Sequence, residues 1–145
     1  MKSFKLQIIT PEKVAYDTEA VEVILPTKDG VVGILANHVP YIAPLKADEL
    51  LVYKRHDGSE DDVISFAVDA GVAEFAGNEL LILVAEASQA ADIDLALAQD
   101  AKKRAQELMA QELTDEDYAN TLALIERETA KIKVASKYRM KHRVS

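Results

Sequence analysis

The chain has 145 residues, of which 25 are acidic and 17 are lysine or arginine, so its formal net charge is −8. It contains no cysteine, which excludes disulfides, thiol catalysis and thiolate metal sites. An acidic body lacks the clustered cations that bind phosphates, so we expect no nucleic-acid ligand. The N-terminus has no apolar signal segment and no apolar run approaches ~20 residues, so we expect no direct membrane insertion.

The first 86 residues predict a series of short β-strands separated by turns. Alternating apolar residues or short apolar runs place strands at residues 4–8, 14–16, 20–25, 49–55, 63–68, 72–75 and 79–85. Gly30 and Gly33 flank further strand residues, whereas Pro26 is expected to end a strand and Pro44 to mark a turn. The spacing predicts about eight to ten antiparallel strands in a sandwich or barrel.

After Glu86 the apolar spacing changes to three and four residues, which predicts two helices. Asp92 is the expected N-cap of the first, and a capping-box pattern at Thr114 starts the second, which is expected to run from residue 115 to about 139. The first helix has an apolar face of Ala98, Ala101, Ala105 and Leu108. The stripe of the second comprises Tyr118, Leu122, Ile125, Thr129 and Ile132.

Two helices joined by a short turn predict an antiparallel hairpin. The predicted fold class is therefore α+β: an antiparallel β-sandwich over residues 1–87, followed by a two-helix hairpin over residues 88–145. Because the first helix presents alanine, we expect the hairpin to be held moderately and to be able to open.

The sign of the charge reverses at the end of the chain. Residues 130–145 contain six cations and no acid, and subtracting +6 from −8 leaves −14 for residues 1–129. Compensation of a helix dipole needs one or two cations, so six indicate docking onto an acidic partner or folding back onto the acidic body. The six are Lys131, Lys133, Lys137, Arg139, Lys141 and Arg143.

No pattern in the chain indicates an active site. His38, His56 and His142 lie in three different predicted elements without metal-ligand spacing, and there is no phosphate-binding loop. His38 could in principle serve acid–base chemistry, but a packed or partner-contacting histidine is the favoured interpretation. We therefore predict no catalytic residue and no metal.

The stretch Gly30-Val-Val-Gly-Ile-Leu-Ala-Asn-His-Val-Pro40 resembles the signature G-x-x-G-I-L-P-x-H-x-P of the epsilon subunit of F-type ATP synthases, called delta in mitochondria. Ala36 and Asn37 replace a usual proline and a frequent glycine. Residues 4–12, 66–71, 82–94 and 132–135 also resemble pieces of this family, so the similarity extends over essentially the whole chain.

The resemblance implies a non-catalytic subunit of the central stalk. Its sandwich would link the gamma subunit to the c-ring, coupling proton transport to ATP synthesis. The contact loop implied by the signature contains Gly33, Ile34, His38 and Pro40. The implied location is peripheral, on the cytoplasmic face of a bacterial plasma membrane or the stromal face of the thylakoid.

The resemblance also implies that the hairpin can extend along the stalk. The six cations would then meet an acidic segment of the catalytic beta subunits and restrain ATP hydrolysis. Some members bind ATP on the folded hairpin, and Asp94, Arg127 and Lys131 occupy matching positions. Leu97 stands where that motif has arginine, so we predict no cofactor.

The alternative function is a stand-alone sandwich adaptor that docks acidic proteins with its basic helix.

Overall fold

The computed structural model describes residues 2–56 and 62–142, which form a β-sandwich followed by a helical hairpin, as predicted. The strands within this part of the chain are β1 (Phe4–Ile9), β2 (Val14–Ala20), β3 (Glu22–Thr27), β4 (Gly30–Leu35), β5 (Tyr41–Leu45), β6 (Asp48–Tyr53), β7 (Val63–Val68), β8 (Gly71–Ala76), β9 (Glu79–Val84) and β10 (Ala87–Gln89). A 3₁₀ turn (Ala90–Asp92) leads to α1 (Leu95–Met109) and α2 (Asp115–Lys141).

Hydrogen bonds connect these strands in the order β10-β7-β6-β3-β5-β8-β9-β1-β2, with β4 on β3. All pairs are antiparallel except β1 with β9. Thr27 and Leu45 form the one register pair of β3 with β5, so the sheet divides there into two layers. The rings of Tyr16 on β2 and Phe66 on β7 meet at 5.1 Å, which brings the two ends of the order together across a core of alternate side chains.

Two prolines that were expected to interrupt strands lie inside them. Pro26 is opposite Val31 in the β3–β4 pair, and Pro44 is opposite Val72 in the β5–β8 pair. β5 has a continuous partner on one side only, and a residue without an N–H donor is tolerated beside an unpaired edge. The turn expected at Pro44 is therefore wrong.

Helix α2 covers the outer face of β7, where small residues allow close approach. Ala130 and Val134 of the helix pack against Ala67 of β7 and Ala90 of the 3₁₀ turn. No helix within residues 2–56 and 62–142 is both long and apolar enough to cross a membrane.

The helix starts are set by side-chain caps. Thr114 accepts a hydrogen bond from the N–H of Asp117 at 3.1 Å, which confirms the predicted start of α2. Asp94, and not Asp92, caps α1 by accepting from the N–H of Leu97 at 3.1 Å. Asp92 belongs to the 3₁₀ turn, which delays the start of the helix.

The predicted stripe of α2 is wrong at Tyr118, Leu122 and Thr129, which are exposed, whereas Ile125 and Ile132 are partly buried. Tyr118 is 50% exposed and Leu122 is 39% exposed. Since α2 packs against both α1 and the sandwich, its rotation follows those two neighbours and not its most apolar side. Its buried residues are Thr121, Glu128, Ala130, Val134 and Ala135. On α1, Ala98 and Ala105 are buried as predicted, whereas Leu108 is 43% exposed.

Candidate interaction surfaces

The loop of residues 36–40, between β4 and β5, is fastened by an asparagine from a distant turn. Asn37 has φ +67°, and its N–H donates to the side-chain oxygen of Asn78 at 2.8 Å. Asn78 also donates to the carbonyl of Ser3 at 3.1 Å, and its own carbonyl accepts from the N–H of Lys5 at 3.2 Å. One side chain therefore joins the loop to the N-terminal strand, a role that the sequence analysis did not find.

The residues of the predicted contact loop differ in exposure. Ile34 is fully buried in the core, so its side chain is not available to a partner. Gly33 and Pro40 are exposed. The half-buried His38 ring packs edge-on against Tyr41 and Phe75, at 5.7 and 5.9 Å between centroids.

The imidazole of His38 makes a local backbone contact. Its Nδ1 lies 2.7 Å from the carbonyl oxygen of Val39, so Nδ1 carries the proton. This packing agrees with the structural interpretation of His38 over the acid–base one. Within the described residues, no group of three or more histidine, aspartate or glutamate side chains could hold a metal ion.

Four large apolar side chains stand exposed on β4, the loop and β5. They are Val31, Leu35, Val39 and Ile42, and both Val39 and Ile42 are 68% exposed. Sequence analysis had no signal for them, because an apolar residue in a strand is normally expected to face the core. Together with His38 and Pro40 they form what we term the loop surface.

A second apolar surface crosses the outer face of the layer that contains β5, β8, β9, β1 and β2. Register pairs place Pro44 beside Val72, Val72 beside Leu83, Leu83 beside Ile9 and Ile9 beside Val14. We term these five residues the apolar row. Alternation along the strands turns this row outward, and Val14 and Leu83 are 54% and 41% exposed.

Most of the predicted docking cations that the structure describes face the chain's own sandwich. Lys133 contacts Asp48 at 2.8 Å, and Lys137 contacts Glu49 at 2.9 Å. Lys131 contacts Glu86 directly. Arg139 is exposed and Lys141 lies in the last turn of α2, while Arg143 lies outside the described residues.

The partly buried pair Arg127 and Lys131 converges on Glu86. Arg127 lies 3.3 Å from Glu86 and 3.6 Å from Asp69, and Lys131 also contacts Glu128 at 3.4 Å. Burial by itself would raise the pKa of Glu86, but the hydrogen bonds and charges of Lys131 and Arg127 hold it below its usual value. Two cations of the predicted ATP-sensing set are therefore already engaged by an internal carboxylate.

Asp94 and Lys131 line one cavity of about 370 Å³, which lies between α1, α2 and the segment that precedes α1. Asp92, Asp94 and Glu128 bring three carboxylates to its wall, against the single ammonium of Lys131. Leu97 lines the same wall, with an apolar side chain in place of the motif arginine. This lining opposes a polyphosphate, and the absence of ATP binding stays a prediction that a calorimetric titration can decide.

Residues 3–90 match the family described as ATP synthase, Delta/Epsilon chain, beta-sandwich domain. The ATP synthase epsilon chain of Lactiplantibacillus plantarum is 40% identical over 105 residues, which cover 72% of each chain. That of Caldanaerobacter subterraneus is 32% identical over 137 residues, covering 94% of this chain and 96% of its relative. The chain belongs to the ATP synthase epsilon-chain family. The resemblance in the sequence is thereby confirmed.

The fold of this epsilon-family chain also occurs in a mitochondrial ATP synthase. A chain in the structure of the OSCP, F1 and c-ring assembly of Euglena gracilis superimposes with a TM-score of 0.73. The match covers 92% of this chain and 81% of the other, at 17% identity, so it shows a shared fold alone.

Proposed function

We propose that this epsilon-family chain is a non-catalytic accessory subunit of the central stalk in a proton-transporting ATP synthase. It would be attached peripherally to the cytoplasmic face of a bacterial membrane. Family membership supports this proposal, and the similar chain in Euglena gracilis belongs to an assembly that contains F1 and a c-ring. In this function the chain transmits rotation and performs no chemistry.

The two apolar surfaces of the sandwich are suited to two partners. The apolar row is a flat sheet face, which fits the side of an elongated gamma subunit. The loop surface is apolar and includes a loop fastened by Asn78, which suits it to the loops of a c-ring. Exposed apolar groups of this kind favour burial in an interface, and fastening the loop in advance reduces the entropic cost of binding.

The hairpin is proposed to restrain ATP hydrolysis when α2 leaves the sandwich and its cations reach the acidic segment of the catalytic beta subunits. The observation that carries this proposal is the way in which α2 is attached. Its contacts with the sandwich are alanines, one valine, the partly buried Tyr138, and lysine or arginine pairs with carboxylates, whereas most of the large core side chains lie between the strands. Helix α2 can therefore detach without opening the core.

The test is ATP hydrolysis by a reconstituted head-and-stalk complex containing either the full chain or a chain that ends at Ala90. The main core cluster lies entirely between Phe4 and Ala87, so the shortened chain retains it. We expect the shortened chain to assemble and hydrolysis to rise severalfold, because the brake has been removed.

Unchanged hydrolysis in an assembled complex would show that α2 is not a brake. Failure of both chains to join the complex would reject the stalk function and favour the stand-alone adaptor that docks acidic proteins. Co-purification with gamma therefore has to be measured in the same preparation as hydrolysis.

A further inference from the structure

Three carboxylates of the sandwich form ion pairs with three of the cations that the proposed function assigns to an acidic partner. Asp48 and Glu49 begin β6, and Glu86 precedes β10. They contact Lys133, Lys137 and Lys131 respectively. We term Asp48, Glu49 and Glu86 the acidic strip.

Asp48 and Glu49 of the acidic strip are held in place by hydrogen bonds within the sandwich, whereas the carboxylate of Glu86 contacts Arg127 and Lys131 of α2. Asp48 accepts from the N–H of Glu49 at 2.7 Å, and Glu49 accepts from the hydroxyl of Ser65 at 2.8 Å. The carboxylates are mostly shielded, whereas Lys133 and Lys137 remain about half exposed. In these two pairs the lysine is the more exposed partner, so it can leave while the carboxylate stays in place; in the third pair Lys131 is 19% exposed and Glu86 is 36% exposed.

Two lysines of α2 each reach one of two neighbouring carboxylates on β6. Lys133 and Lys137 are four residues apart, which is about 6 Å along α2. Their partners are neighbours on β6, and Asp48 reaches one lysine while Glu49 reaches the next. A partner that occupies both lysines must therefore offer two carboxylates.

We propose that the acidic strip is an internal competitor for the acidic partner of α2. While the hairpin lies on the sandwich, the strip forms ion pairs with Lys133, Lys137 and Lys131. The helix binds an acidic segment only after these pairs have separated. The competition rests on the proposed function of α2. The engagement of the lysines by the strip is an independent observation.

The competition sets how readily the helix is released. An exposed ion pair shifts an equilibrium by a factor of about two to five, so removing two pairs is expected to shift it about tenfold. Replacement of the carboxylates by amides is a mild change here, because asparagine and glutamine can still accept from Glu49 N–H and Ser65.

The first experiment measures opening in the full chain. Because the chain has no cysteine, spin labels can be attached specifically at K13C and N120C, both exposed positions on the sandwich and on α2. Distances between the labels then report the open fraction by pulsed electron resonance. D48N/E49Q should raise the ratio of open to closed chains about tenfold.

The matched control is E107Q/E112Q, which changes the net charge equally at the tip of the hairpin. Glu107 and Glu112 are exposed and form no ion pair with the described residues. If the open fraction rises equally in this control, the effect is one of net charge and the proposal is overturned. An unchanged open fraction in D48N/E49Q would also overturn it. Exchanging the signs in D48K/E49K/K133E/K137E should restore closure, and failure to do so would also overturn it.

The second experiment separates the strip from the proposed function. A fluorescent oligoglutamate peptide should bind D48N/E49Q about tenfold more tightly than the unmodified chain or the E107Q/E112Q control. Increased opening without tighter binding would reject competition, and with it docking onto acidic partners. If the full chain restrains hydrolysis more strongly than the chain that ends at Ala90, but D48N/E49Q does not change opening, the role of the strip is rejected and the proposed function stands.

Discussion

At the scale of single residues, the glycines of β8 and of the turn that follows it are required for different reasons. A β-carbon on Gly71 would lie 2.1 Å from the carbonyl oxygen of Leu83 and 2.9 Å from the Cα of Val84. These are backbone atoms of β9, which cannot move aside without breaking the strand pair. Gly77 has open space around it but φ of +57°, a conformation that a side chain makes costly.

Substitution of these two glycines should therefore have unequal effects. We expect Gly71→Ala to lower the free energy of unfolding by about 3 kcal/mol through overpacking. Gly77→Ala should cost only about 1 kcal/mol, the penalty of a left-handed backbone. Urea unfolding followed by circular dichroism measures both, and equal losses would contradict the steric explanation for Gly71.

At the scale of elements, the sandwich and the hairpin differ in how much apolar area they bury. Phenylalanine, leucine and isoleucine side chains fill the space between the two layers. The buried apolar residues of α1 are Ala98 and Ala105, and α2 contributes Ala130, Val134 and Ala135. Since burial of alanine yields less free energy than burial of leucine, the hairpin is the weaker part.

Hydrogen exchange should resolve this difference. We expect amides in the middle of α1 to exchange at least tenfold faster than those of β8 and β9, because the hairpin opens locally while the sandwich stays folded. The measurement is native-state exchange followed by mass spectrometry. Equal protection of the two parts would indicate a single cooperative unit and contradict a hairpin that detaches.

At the scale of the whole molecule, the opposed charges of body and tail are partly neutralised within the chain. The acidic body supplies Asp48, Glu49 and Glu86, and α2 supplies the lysines that face them. Burial alone would raise the pKa of Asp48, but the hydrogen bond and charge of Lys133 hold it below its ordinary value of 3.8. The same hydrogen bond raises the pKa of Lys133 above 10.5.

These shifts predict release of the hairpin by acid. A carboxylate with a lowered pKa gives its full stabilisation above the ordinary value, 3.8 for Asp48 and 4.5 for Glu86, and loses it as the pH falls through the lower value of the docked state. The raised pKa of Lys133 means that its contribution is lost only above about pH 10.5.

We therefore expect the open fraction of the spin-labelled chain to be constant from about pH 9 to pH 5 and to rise below about pH 4. A D48N/E49Q/E86Q variant is the control, since its acid-dependent opening should be smaller. Opening between about pH 5 and pH 7 would contradict control by these carboxylates.

The local order of the chain could be predicted from sequence because it depends on near neighbours. Alternating side chains locate most strands, Thr114 and Asp117 mark the start of α2, and the charge reversal after residue 129 is read directly. The signature around His38 predicts the family, which the comparisons confirm.

Contacts between distant residues were decided only by the tertiary structure. Lys137 and Glu49 are separated by 88 positions, and their pairing depends on the register of β6 and on the rotation of α2. The sequence analysis allowed the tail either an external acidic partner or the chain's own body. The structure places three of its cations on the body, because packing of Ala130 and Val134 against β7 and the 3₁₀ turn turns the lysines toward the acidic strip.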